Sequence, residues 1–165
     1  MNIPLPLHLM IHFTLAYLVG LAVGIRFKKV GIGIVAGILG GFLIDLDHLL
    51  EYFLFYGWHF NFQYFIEGRE FVLSNQIHLW FHAWEYVPIV LLLAFVVRRR
   101  QAFAAFLVAL AFGGFVHLAS DCLINNYPIR NYSLLYRYRV DFSASALLSP
   151  EQYQRYLESR AYFNL

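Results

Sequence analysis

The chain has 165 residues, of which 61% are hydrophobic and 13% are charged. Soluble domains are typically about 45–50% apolar and about 25% charged, so this composition excludes a disordered chain, a coiled coil and a nucleic-acid-binding module. The formal net charge is +2, and the single cysteine, Cys122, excludes an internal disulfide and a multi-cysteine metal site. These values predict an integral membrane protein with one domain.

Four apolar runs approach or exceed the length of about 20 residues that a helix needs to cross a bilayer. They predict spans at residues 5–25, 30–56, 77–97 and 102–123. Basic residues follow the first run rather than precede it, which argues against a cleavable signal peptide. We therefore predict an all-α fold, with a four-transmembrane-helix bundle over residues 1–125. An interfacial segment is expected between spans 2 and 3, and an interfacial or extramembrane tail over 126–165.

Basic residues cluster in the two short turns that join predicted spans. Arg26, Lys28 and Lys29 follow the first span, and residues 98–100 are three consecutive arginines. The positive-inside rule places such turns in the cytoplasm, so the segment 57–76 and both chain ends are predicted to lie outside. We expect a multi-pass protein of the cell inner membrane, surrounded by membrane lipids.

Small residues predict where these helices pack closely. Gly33, Gly37 and Gly41 repeat at four-residue spacing, a small-xxx-small ridge that lets another helix approach. In the third span, Pro88 is predicted to kink the helix by freeing the carbonyl of Trp84.

The tail carries two local patterns. Residues 136–142 alternate in character, which is compatible with an extended conformation. Ser149, Pro150 and Gln152 form a sequence typical of a helix start, with an N-cap, a proline at the first position and a capping-box glutamine. A short C-terminal helix is therefore predicted up to about Tyr162.

The ionisable side chains of the four spans are predicted to lie at one depth. Counted at about 1.5 Å per residue from the basic turns, most fall about 20–30 Å from the cytoplasmic ends. Helical spacing places His117 and Asp121 on one face, and His78, His82 and Glu85 on one stripe. The residues concerned are His8, His12, Asp45, Asp47, His48, Glu51, His78, His82, Glu85, His117 and Asp121.

Residues near the span ends have a simple interpretation: His8, Glu51 and His59 are expected to reach the headgroups. A carboxylate at mid-membrane costs about 2.5–3.5 kcal/mol, and a divalent cation bound by the carboxylates removes that cost. The pattern therefore predicts a metal site. Its predicted ligands are His12, Asp45, His48, His82, His117 and Asp121. Nitrogen and oxygen ligands without thiolates favour zinc, with manganese or iron as alternatives, and the set suffices for one ion or two.

These motifs resemble those of the membrane-bound metal-dependent hydrolase family. Its members are small prokaryotic multi-pass proteins with a Pro-Asp-x-Asp-His motif. The resemblance covers about residues 8–125 and rests on His12, Gly40-Gly-Phe-Leu-Ile-Asp-Leu-Asp-His48, the pair His78 and His82, and His117-x-x-x-Asp121. Ile44 stands where the family has its proline, and the paired histidines are one residue closer than is usual. The resemblance implies a metal site, and hydrolysis of lipid-linked phosphate esters is among the activities suggested for the family.

Several functions are compatible with such a site. In a hydrolase, a metal-activated water attacks an ester, with a phosphoester of a lipid or lipid-linked substrate preferred, and Asp47 or Glu85 is the general base. In a metal or proton transporter, the same residues form the translocation site, although no polar residues lead from them to the cytoplasmic turns. In a haem protein, two histidines ligate iron, although nearby carboxylates suit haem poorly. A hydrolase is the preferred prediction, a non-catalytic metal-binding protein is a further alternative, and no nucleic-acid partner is expected.

Overall fold

The structure, a computed structural model, describes residues 4–163, and every regular element in that range is helical. Within these residues the only extended pairing is an isolated bridge between Gln76 and Ser143. The predicted all-α class is therefore confirmed. The helices are α1 Leu5–Arg26, α2 Val30–Gly41, α3 Leu46–Tyr56, α4 Phe62–Ile66, α5 Arg69–Ser74, α6 Tyr86–Val96, α7 Gln101–Ile124, α8 Leu134–Arg139, α9 Ala144–Leu147 and α10 Pro150–Tyr162.

Three helical stretches are long and apolar enough to cross a membrane: Leu5–Arg26, Val30–Tyr56 and Gln101–Ile124. They correspond to the first, second and fourth predicted spans. The third predicted span is helical only over the 11 residues of α6. Residues 77–85, which precede α6, are irregular.

The prediction that His78, His82 and Glu85 lie on one face of a helix is therefore wrong. One physical reason is that a carboxylate distant in sequence, that of Glu51, binds the backbone here. The backbone N–H groups of His78 and Leu79 both donate to the carboxylate of Glu51, at 3.4 Å each. The His78 ring nitrogen Nδ1 lies 2.7 Å from the same carboxylate. Leu79 has a positive φ of 41°, a value that a right-handed helix does not contain.

The predicted kink at Pro88 is also absent. Helix α6 begins at Tyr86, so Pro88 lies in its first turn, where a missing backbone N–H removes no helical hydrogen bond. The carbonyl of Trp84 accepts a hydrogen bond from the backbone N–H of Val87 at 3.1 Å. The proline thus marks the start of this helix rather than a bend within it.

The chain divides into two compact units, of which the first contains residues 4–44 and 81–128. Its helices α1, α2 and α7 pack on one another, and α6 packs on α7. The predicted glycine ridge is present on α2. A Cβ added at Gly37 would lie 2.6 Å from the backbone oxygen of Ala16 on α1, and one added at Gly41 would lie 2.7 Å from the oxygen of Gly113 on α7. Only glycine permits these two approaches.

The backbone changes its winding between α2 and α3. Helix α2 ends at Gly41, a 3₁₀ turn covers Leu43–Asp45, and α3 begins at Leu46. The α-helix is therefore interrupted here although residue 44 is isoleucine and not proline. Two poor helix formers, Gly40 and Gly41, directly precede this interruption.

The second unit contains residues 45–80 and 129–163. Its helix α10 spans Pro150–Tyr162 and starts with the predicted capping box of Ser149 and Gln152, so this prediction is confirmed. The predicted extended stretch at 136–142 is wrong, because α8 occupies residues 134–139. Ser133 caps that helix by accepting a hydrogen bond from the backbone N–H of Tyr136 at 3.1 Å. The predicted domain boundary near residue 125 stays a prediction.

Candidate metal centre

Asp121 is the centre of a buried cluster of imidazoles in the first unit. Its side chain is almost fully buried, and each carboxylate oxygen faces two ring nitrogens. Oδ1 lies 3.2 Å from Nε2 of His12 and 3.5 Å from Nε2 of His8. Oδ2 lies 3.3 Å from Nε2 of His117 and 3.9 Å from Nε2 of His82. Five ionisable side chains therefore meet in a part of the molecule where isolated charges are costly.

Three segments supply these side chains. His8 and His12 lie one turn apart on α1, and His117 and Asp121 lie one turn apart on α7, so each pair shares a helix face. Because α1 packs directly on α7, the two pairs meet. His82 comes from the irregular stretch before α6.

A backbone contact fixes the proton of His117. Its Nδ1 lies 2.9 Å from the carbonyl oxygen of Gly41, and a carbonyl can only accept. In the neutral ring Nδ1 therefore carries the hydrogen and donates it, which leaves a lone pair on Nε2. That lone pair faces the Asp121 carboxylate oxygen at 3.3 Å and the His82 nitrogen Nε2 at 3.2 Å. Either a hydrogen on Nε2 of His82 or a cation between these atoms satisfies this lone pair.

The dimensions of this triangle fit a metal ion. The sides joining His82 Nε2, His117 Nε2 and Asp121 Oδ2 measure 3.2, 3.3 and 3.9 Å. A point inside it lies about 2.0 Å from all three atoms, which equals the usual Zn–N and Zn–O bond lengths of about 2.0–2.2 Å. Two imidazoles and a carboxylate are ligands that zinc, manganese and ferrous iron all accept. The residues present therefore fit a divalent cation.

His12 is poorly satisfied as a packing residue. Its ring is buried, and neither ring nitrogen has a hydrogen-bond partner within the described part of the chain, although Nε2 faces Asp121. A buried polar atom left without a partner costs about 1–3 kcal/mol. The ring lies against its neighbours, with centroids 4.3 Å from His8 and 4.1 Å from His117. A buried imidazole with unsatisfied nitrogens that packs against other imidazoles is typical of a binding site rather than of a core.

Four of the predicted site residues thus converge in this unit: His12, His82, His117 and Asp121. His8, which was predicted to reach the headgroups, has its Nε2 3.5 Å from Oδ1 of the same carboxylate. Its spacing of four residues from His12 is the sequence signal that could have included it.

Of the other predicted site residues, Asp45, Asp47 and His48 belong to the second unit and Glu85 belongs to the first. Asp45 ends the 3₁₀ turn before α3, and Asp47 is fully buried in the first turn of α3. The ring of His48 packs edge-on against Phe71, with centroids 5.8 Å apart. Glu85 directly precedes α6, and no group of converging ligand atoms within residues 4–163 includes it.

No protein-family model, no curated protein and no solved structure matches this chain. A function is therefore inferred from two structural features, the buried His/Asp cluster and the three apolar helices.

Proposed function

We propose that this protein is an integral membrane metal-dependent hydrolase that cleaves an ester, by preference a phosphoester, of a lipid or lipid-linked substrate. The observation that supports the proposal is the convergence of His82, His117 and Asp121 on a point about 2.0 Å from each ligand atom. The proposed ion is zinc, with manganese or iron as alternatives.

The side chains around this point have separate tasks. A divalent cation, when bound, polarises the substrate and lowers the pKa of a coordinated water to about 7. The Gly41 carbonyl orients the His117 ring and, in the neutral ring, leaves the lone pair on Nε2, as a carboxylate or carbonyl commonly does for a ligand histidine. Asp121 supplies the negative charge. Asp45 and His48 stay sequence predictions as further ligands, and Asp47 and Glu85 as general base.

We place the protein in the inner membrane with four spans and the metal centre toward the extracytoplasmic side. Helix α6 is about 17 Å long, shorter than the hydrocarbon core of about 30 Å, so the proposed third crossing also uses the irregular residues before it. Non-helical backbone is tolerated at membrane depth where protein buries it. His82 and Ala83, both 1% exposed, meet that condition.

The irregular backbone before α6 also supports a second candidate function, a metal or proton transporter. Helices interrupted at a polar site are typical of secondary transporters, and here the chain is interrupted both before α6 and between α2 and α3. Metal uptake into proteoliposomes that is abolished by Asp121→Asn, without ester hydrolysis, would favour this candidate over the hydrolase.

The test is metal analysis of detergent-purified protein together with a phosphodiesterase assay. We expect at least one zinc, manganese or iron ion per chain in the wild type, and a loss of at least 90% in Asp121→Asn, which keeps the side-chain shape but removes the charge. His59→Ala is the matched control, because His59 is exposed and lies outside the cluster. Hydrolysis should be lost with the metal in Asp121→Asn and kept in His59→Ala. Activity that survives Asp121→Asn would refute the proposed function.

A further inference from the structure

We propose that Asp121 bridges two divalent cations, the second of which is held by His8, His12 and carboxylate oxygen Oδ1. The inference rests on the proposed function, because the first cation is the one at Oδ2. It adds a ligand, His8, and it narrows the substrate to an anionic phosphoester.

The two oxygens of Asp121 face separate pairs of imidazoles. Oδ1 is within 3.5 Å of His8 and His12, and Oδ2 is within 3.9 Å of His82 and His117. Ligand atoms around a tetrahedral zinc lie about 3.3–3.4 Å apart, given bond lengths of about 2.0–2.1 Å. The distances of 3.2 and 3.5 Å at Oδ1 fit this spacing as well as those at Oδ2 do. One carboxylate thus has a complete pair of imidazoles at each oxygen.

His12 supplies an independent observation. It is 1% exposed, and its two ring nitrogens lack hydrogen-bond partners within residues 4–163 while Nε2 points at Oδ1. Nε2 lies 3.2 Å from Oδ1, so a cation at Oδ1 would have this buried nitrogen within reach as a ligand.

The charge of the cluster then indicates the substrate. Four neutral imidazoles and the Asp121 carboxylate carry a single negative charge, so two divalent cations leave about +3 on these five side chains, or about +2 with Asp45 as a further ligand. An anionic phosphoester reduces this excess, whereas a neutral carboxylic ester or amide does not. Paired ions about 3.5–4 Å apart are also the arrangement that stabilises both the attacking and the leaving oxygen in phosphoryl displacement.

The reaction is a balanced hydrolysis of a phosphodiester. A bond forms between the water oxygen and phosphorus, the bond between phosphorus and the ester oxygen breaks, and the water proton ends on the leaving alcohol. The products are a phosphomonoester and an alcohol, and neither an oxidant nor a reductant is needed.

Metal stoichiometry tests the bridge without relying on activity. We expect two ions per chain in the wild type and in the exposed control His59→Ala, one ion in His8→Ala and in His82→Ala, and none in Asp121→Asn. His8→Gln, which retains more of the side-chain volume, replaces His8→Ala if the alanine variant does not fold. Manganese-loaded wild type should give an exchange-coupled electron paramagnetic resonance signal, and manganese-loaded His8→Ala the six-line signal of an isolated ion.

The outcomes separate this inference from the proposed function. If the wild type binds one ion and His8→Ala still binds it, the proposal that Asp121 bridges two ions is overturned. The proposal of a hydrolase with a single ion is then unaffected. Two ions retained in His8→Ala would overturn the assignment of His8. No bound ion in the wild type, even after titration with zinc, manganese or iron, would overturn both proposals. A larger rate enhancement over the uncatalysed reaction for bis(p-nitrophenyl) phosphate than for p-nitrophenyl acetate would support the narrower substrate class, and the reverse order would overturn it.

Discussion

Glu70 on α5 should make the stability of the protein depend on pH between about 4.5 and 7. Its side chain is 1% exposed, and its oxygen Oε2 has no hydrogen-bond partner within the described residues. Burial, with a smaller contribution from the negative charge of Glu51, raises the pKa of Glu70 from 4.5 to about 7. In this range the unfolded chain releases the proton while the folded chain keeps it. The contribution of Glu70 to the free energy of unfolding is therefore largest below pH 4.5, falls as the pH rises to about 7, and is constant above pH 7.

The difference of about 2.5 pKa units corresponds to at most about 3 kcal/mol, since each unit is worth about 1.4 kcal/mol. We expect Glu70→Gln to lose this pH-dependent component. Between pH 4.5 and pH 8 its unfolding temperature should rise relative to that of the wild type by up to about 6–12 °C. Thermal unfolding in detergent, followed by tryptophan fluorescence, measures both proteins across the range. Glu158→Gln, an exposed position on α10, is the matched control and should track the wild type. If Glu70→Gln loses stability with pH as steeply as the wild type, Glu70 is not the titrating group.

Two further substitutions test the packing and the helix cap. Gly37→Ala places a Cβ 2.6 Å from two backbone atoms of α1, whereas Gly31→Ala on the same helix meets nothing within 4 Å. Both gain helix propensity, so Gly37→Ala should be about 1–3 kcal/mol less stable than Gly31→Ala in the same unfolding assay; equal stability would contradict the close approach of α1 and α2. Ser149→Ala removes the capping box of α10 and should cost about 1 kcal/mol, measured as faster proteolysis of the C-terminal segment; unchanged proteolysis would show that the cap is not needed.

Structural features that depend on residues close to one another in the sequence could be predicted from the sequence. The capping box at Ser149 and Gln152 needs only a four-residue pattern, and the long apolar runs of α1 and α7 need only length and hydropathy. The pairing of His117 with Asp121 needs only helical spacing. Each of these depends on interactions within about one turn of helix, where sequence distance and spatial distance agree.

Features that depend on contacts distant in the sequence could not be predicted. The stretch around His78 is apolar enough for a membrane helix, but Glu51, 27 residues earlier, binds its backbone N–H groups and holds it in an irregular conformation. His8 lies near the end of its helix, where a headgroup position is the ordinary expectation. Its contact with Asp121 exists because α1 and α7 are adjacent, and no local pattern encodes that adjacency.

Helix packing and the geometry of the proposed metal site depend on the same glycine, Gly41. At Gly41 the absent side chain lets α7 approach until a Cβ would lie 2.7 Å from the oxygen of Gly113. The carbonyl of Gly41 then accepts the hydrogen of His117 Nδ1, and this bond directs the Nε2 lone pair toward His82 and Asp121. A larger residue at 41 would separate the helices and remove the bond that sets the tautomer. The small-residue ridge, which by sequence indicates only close packing, therefore also positions a proposed metal ligand.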